Sequence, residues 1–169
     1  MTTGRSEFAA KRQAATRSLP VQLFAYWGTV IAWMSVISSL STDAFSAENT
    51  GRYLDPLLRY FFHHLTASQF AVAHYMIRKS AHFSEFFVLG CLLYWALRRG
   101  RQPRWRVAWM AQALLLAALY SLVDEAHQAF VPSRTSSLTD CLIDSLGALT
   151  SQILISFRYL VLARLLPPP

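Results

Sequence analysis

Two histidines in this 169-residue chain lie three residues from a carboxylate: His82 precedes Glu85, and Asp124 precedes His127. On a helix that spacing keeps two side chains on one wall. A carboxylate beside an imidazole can orient it as a general acid or base. Lys79 stands three residues before His82 and extends the first pair into a stripe. Tyr120, Asp124, His127 and Gln128, at spacings of three and four, share a face of a second helix, with Glu125 turned about 100° away. Arg134 follows in the turn VPSRTSS, and Asp140, Asp144 and Gly147 share a face of the next helix. In this arrangement His82 or His127 acts as base or acid, Glu85 or Asp124 orients it, and Lys79 and Arg134 bind an anionic group such as a phosphate.

Other chemistries have less to work with. Cys91 and Cys141 sit in or beside apolar runs and read as packing residues, at depths too different for a disulfide. Ser136 and Ser137 are weak nucleophile candidates. A His and a carboxylate on each of two helices, with Asp140 on a third, resemble a helical carboxylate metal site. Lys79 and Arg134 would oppose a cation there, so the expectation is no metal and no cofactor. The residues alone leave several readings open: an enzyme, a ligand-binding site without chemistry, a proton-coupled carrier, or a buried ion-pair network that only fixes helix packing.

The elements that hold these residues are built for hydrocarbon. The chain is 54% hydrophobic, 14% aromatic and only 15% charged, too apolar for a soluble domain of this size. No internal repeat or linker divides it, so one domain is expected. Residues 1–18 read as a flexible basic tail. Residues 19–40 carry no charge and suffice to cross ~30 Å at ~1.5 Å per residue. They exceed a signal-peptide core and lack a clear cleavage site. Further spans are expected at 80–97, 105–128 and 139–166. Between the first two, Asp55–Pro56 reads as a helix start, with Leu57, Leu58, Phe61, Phe62 and Leu65 on one face of a helix lying on the membrane surface. Thr66 with Gln69 resembles a capping box that restarts the helix running into the next span. The fold class is thus all-α: four transmembrane helices plus an amphipathic outer-surface helix. His63, His64 and His74 on the surface segment read as solvated, and the five Trp as interface anchors.

Basic residues fix the expected orientation. Eleven of the sixteen Lys and Arg lie in the tail, the loop around residues 98–106 and the C-terminal end, while eight of the nine acids lie on the opposite side. Both termini are therefore expected in the cytoplasm. The basic loops fit topology and contact with anionic membrane lipids, not nucleic acid. The three polar faces then converge at one depth on the outer side. Nothing in the sequence sets an oligomeric state.

The segments RKSAHFSEFFVLGCLL and DEAHQAFVPSRTSSLTDCLIDSLGALTS resemble the two signature segments of the VanZ-like family, and WMSVISSLS resembles the end of that family's first helix. The likeness runs roughly from residue 25 to residue 155. It implies a small multi-pass protein of the bacterial inner membrane, in a family whose namesake is associated with low-level teicoplanin resistance. The family's polar signature falls here on Lys79, His82, Glu85, Asp124, Glu125, His127, Gln128, Arg134 and Asp140. Ser133 and Ser151 stand where Gly is common, and Asp144 where Asn is common. Taken with the residue chemistry above, the expected catalytic positions are His82, Glu85, Asp124 and His127, and the expected ligand-binding positions are Lys79, Glu125, Gln128, Arg134, Asp140 and the departing Asp144. The implied function is cell-envelope related, acting on or binding an envelope lipid or a lipid-linked peptidoglycan precursor, with an effect on glycopeptide susceptibility.

Overall fold

The computed structural model describes residues 24–98, 106–134 and 136–165. The expected tail, the first residues of the span expected at 19–40, most of the arginine-rich loop and residue 166 lie outside them. Among the described residues all regular structure is helical: α1 (Phe24–Leu40), a short turn of 3-10 helix (Asp43–Phe45), α2 (Ala47–Phe61), α3 (Ala67–Arg98), α4 (Val107–Gln128) and α5 (Leu138–Leu165).

Three helices, Ala67–Arg98, Val107–Gln128 and Leu138–Val161, are long and apolar enough to cross a membrane; α1 adds a fourth span only when joined to Asp43–Phe61 across a 69° bend. The chain is an all-α membrane bundle. Its polarity is reversed relative to a soluble protein. Leu119, Leu154 and Phe157 are exposed, whereas Asp124, Gln128, Asp144 and Gln152 are buried. Lipid accepts the first set, and only protein can satisfy the second.

Two boundaries differ from the sequence expectation. The span expected at 80–97 is the second half of a 32-residue helix beginning at Ala67. Its start is the reciprocal capping box of Thr66 and Gln69: the Thr66 N–H donates to Gln69 Oε1 at 2.8 Å, and the Gln69 N–H to Thr66 Oγ1 at 3.4 Å. The surface helix does not start at Asp55–Pro56 but at Ala47, where Ser46 Oγ accepts from the Asn49 N–H at 3.3 Å. Pro56 is inside that helix and deprives the Arg52 carbonyl of its usual donor. Both residues are exposed, so solvent or head groups can supply one. Asp55 instead turns its carboxylate to His74 Nε2 at 2.5 Å, tying α2 to α3. His74 is therefore paired, while His63 and His64 are exposed.

Helix α3 and α5 run parallel and in register. Lys79 meets Asp140, His82 meets Asp144, and Arg98 donates to the Tyr159 hydroxyl at 2.5 Å. Their closest approach is set by small residues. A Cβ on Gly147 would collide with the Phe83 carbonyl oxygen and come within 3.2 Å of the Phe87 nitrogen. A Cβ on Gly90 would lie 3.2 Å from the Ala148 Cα. Ser151 is buried in the same seam. On α4 the buried Ala113, Ala117 and Ser121 recur every fourth residue and let it pack closely as well.

Helix α1 runs alongside α4: Tyr120 donates to the Met34 carbonyl at 2.6 Å, and Ser41 reaches Asp124. Trp33 donates its indole N–H to the Glu85 carbonyl at 2.9 Å, and Trp109 packs edge-on against the buried Tyr94 at 6.4 Å. These two indoles work inside the bundle instead of at its interface. Cys91 and Cys141 are both free.

Candidate functional site

Four helices, not three, bring polar residues to one end of the bundle: the end of α1, the middle of α3, the last turns of α4 and the first turns of α5. Lys79 of α3 closes an ion pair with Asp140 of α5, and both are largely shielded. One turn further in, His82 Nδ1 lies 3.3 Å from Asp144 Oδ1. That is close enough for an ion pair, yet the two atoms are not aligned as a hydrogen bond. Asp144 Oδ2 accepts from the Ser121 hydroxyl at 2.7 Å. Asp144 is thus built into the centre of the site.

Asp124 is held separately. Ser41 Oγ is 2.8 Å from both of its oxygens, and Gln128 Nε2 donates to Oδ2 at 2.9 Å and to Ser41 Oγ at 3.2 Å. This buried triad joins α1 to α4. Glu125 points into the bundle and accepts the Ser137 N–H at 2.7 Å on Oε2. It thereby caps the start of α5. Ser137 serves as that cap, its Oγ accepting from the Thr139 N–H at 3.2 Å.

Arg134 lines a cavity and at the same time holds backbone. Its guanidinium donates to the carbonyls of Leu40 at 2.5 Å, Thr42 at 3.2 Å and Phe45 at 2.7 Å. It clamps the bend after α1. Burial and the nearby Arg78 lower its pKa from the ordinary value, while Asp124, Glu85 and Asp43 act the other way. Ser133 next to it donates to Asp43, which holds the same turn.

His127 does not join the cluster. It is exposed, while Ser121, Asp124, Glu125 and Gln128 are buried. The buried stripe of α4 is centred about 40° from Asp124 towards Glu125, which puts His127 roughly 100° off its centre. The sequence pattern had placed that centre on the other side of Asp124, with His127 inside and Glu125 outside.

Beside the cluster opens a cavity of about 400 Å³ between α1, α2 and α3. Its wall is mostly apolar, including Leu40, Phe45, Tyr53, Leu54, Leu57 and Ile77. Its polar end carries Arg78, His82, Glu85 and Arg134. Among the described residues the Glu85 carboxylate has no hydrogen-bond or ion-pair partner. His82 is thus shared between the buried network and the cavity. Residues that sequence spacing passed over include Ser41, Ser121 and Arg78; the two serines lie three residues from Ser38 and Asp124, a helical spacing that marks them as neighbours of the polar stripe.

No curated protein and no solved structure matches the chain. A family model does, over residues 23–161, a stretch that contains α1, the cavity and every residue of the polar cluster. The chain belongs to the family described as VanZ/LLP1.

Proposed function

We propose that the cavity binds the polar end of an envelope lipid or lipid-linked precursor. The hydrocarbon lies against the apolar wall, and an anionic head group such as a phosphate meets Arg78, with His82 and Glu85 beside it. The observation that carries this is the gradient within one cavity, from Leu54, Leu57 and Ile77 to Arg78, His82 and Glu85. A soluble ligand would have no use for that wall, and a plain lipid-facing groove would have no use for the charged end. His82 is the residue positioned for acid–base chemistry on the head group, backed by Asp144.

The charge distribution supports an orientation with this end outside the bacterial inner membrane and both termini in the cytoplasm. The family resemblance supports an effect on glycopeptide susceptibility. A second reading, in which the polar residues only fix helix packing, is favoured by one observation: Arg134 directs Nη2 to three backbone carbonyls.

Native mass spectrometry of the purified protein, offered an extract of bacterial envelope lipids, tests the proposal. The wild type should retain a phosphate-bearing lipid, and Arg78→Gln should lose most of it at unchanged thermal stability. Equal retention by both proteins, or none by the wild type, rejects it.

A further inference from the structure

Six buried side-chain polar atoms have no hydrogen-bond partner among the described residues, and three of them belong to one cluster: His82 Nδ1, Glu125 Oε1 and Asp144 Oδ1. His82, Glu125 and Asp144 are 7%, 4% and 0% exposed. They come from α3, α4 and α5, and each offers a ligand atom within 4.8 Å of the other two. His82 Nδ1 and Asp144 Oδ1 face each other at 3.3 Å, and leaving the Glu125 oxygen beside them without a partner in a water-excluded site is costly, so one ligand shared by all three would satisfy them together.

The geometry points to a divalent transition-metal site formed by His82, Glu125 and Asp144. An ion ~2.0–2.1 Å from its ligands in a tetrahedral arrangement holds them ~3.3–3.4 Å apart. His82 Nδ1 and Asp144 Oδ1 have that spacing, at 3.3 Å, and Glu125 offers an oxygen within 4.8 Å of the other two ligand atoms. Each carboxylate is already oriented through its other oxygen, Asp144 by the Ser121 hydroxyl and Glu125 by the Ser137 N–H, both at 2.7 Å. That is how the outer shell of a metal site fixes its ligands. One imidazole with two carboxylates suits zinc, manganese or iron better than the all-oxygen preference of calcium or magnesium.

Charge supports the assignment. Six carboxylates, Asp43, Glu85, Asp124, Glu125, Asp140 and Asp144, share this end of the bundle with three fixed cations, Arg78, Lys79 and Arg134. The formal excess of negative charge favours a bound cation there. The cations that would oppose a metal are engaged elsewhere: Lys79 on Asp140, and Arg134 on the carbonyls of α1 and the bend. The site stands whether or not a lipid fills the neighbouring cavity; with the metal on Nδ1, His82 faces the head group through Nε2 as a metal-bound imidazole and no longer as an acid–base residue backed by Asp144.

The test uses full-length protein in detergent, stripped with chelator and reloaded with Zn²⁺ alone, in a His63→Ala/His64→Ala background that removes two adjacent exposed histidines. Metal analysis should find one equivalent per chain. Asp144→Asn and Glu125→Gln should lose it, and Ser121→Ala should weaken binding by ~10-fold or more. His127→Ala should leave it unchanged. If the ligand variants do not fold, zinc X-ray absorption on the parent protein decides: one imidazole with oxygen donors supports the site. No bound zinc, a sulfur donor, no imidazole, or zinc retained in folded Asp144→Asn overturns it and leaves protons or water as the partner of these atoms.

Discussion

Lys79 and Asp140 are 61 residues apart in sequence and form an ion pair between α3 and α5, with side-chain exposures of 19% and 5%. The pair fixes the register in which His82 meets Asp144 one turn deeper. Removing one partner leaves the other charged and shielded from water, at a cost of about 3–5 kcal/mol. Lys79→Met should therefore lower detergent-unfolding stability by that order, and Lys79→Met combined with Asp140→Leu should recover much of it. Additive losses in the double variant would show that the pair is not coupled.

The two histidines should behave oppositely. His127 is exposed, so His127→Ala should change stability by no more than ~0.5 kcal/mol. His82→Ala strands Asp144 and should cost about 1–3 kcal/mol. Thermal unfolding of the two purified variants compares them directly, and an equal effect would place His127 back in the site.

The seam between α3 and α5 has no room at Gly147, where an added Cβ meets the Phe83 carbonyl. Gly147→Leu should prevent stable assembly, and Gly147→Ala should destabilise by about 1–3 kcal/mol. Gly28 has nothing within 4 Å of an added Cβ. Gly28→Ala should be neutral or stabilise by about 0.5–1 kcal/mol through helix propensity. Membrane levels and unfolding midpoints of the three variants check both statements.

Arg134 gathers the carbonyls of Leu40, Thr42 and Phe45 around Nη2, and its Nε also lies 3.4 Å from the Thr42 oxygen; a Lys ammonium lacks the planar group that sets Nε and Nη2 side by side on Thr42. Arg134→Lys should loosen the bend after α1, read as faster cysteine labelling of Thr42→Cys than in a protein with Arg134 intact. Equal labelling rates would remove the clamp.

The apolar runs disclosed the bundle because hydrocarbon-length segments and the Thr66–Gln69 capping box are local signals. The α3 stripe Lys79, His82, Glu85 was equally legible, since three-residue spacing on one long helix leaves little choice of face. On α4 the same rule failed by one residue. Asp124 lies at the edge of the buried stripe, and periodicity alone does not say on which side the centre falls, so His127 and Glu125 exchanged places. The grip of Arg134 on the bend was not legible, because its partners there are backbone carbonyls, which carry no side-chain signal. Ser41 was passed over for a related reason: its link to Asp124 spans 83 residues, and a lone Ser at a helix end is common. Pro56 suggested a helix start, but Ser46 provides a better cap nine residues before Asp55.

The binding of a lipid head group at the cavity is tested most directly by photo-crosslinking in intact cells, with a benzophenone amino acid at Leu57 on the cavity wall and, as a control, at the exposed Leu154. Leu57 should capture a defined phosphate-bearing lipid that Leu154 does not, and Arg78→Gln should abolish that product. The same spread of bulk lipids at both positions, unaffected by Arg78→Gln, would contradict it.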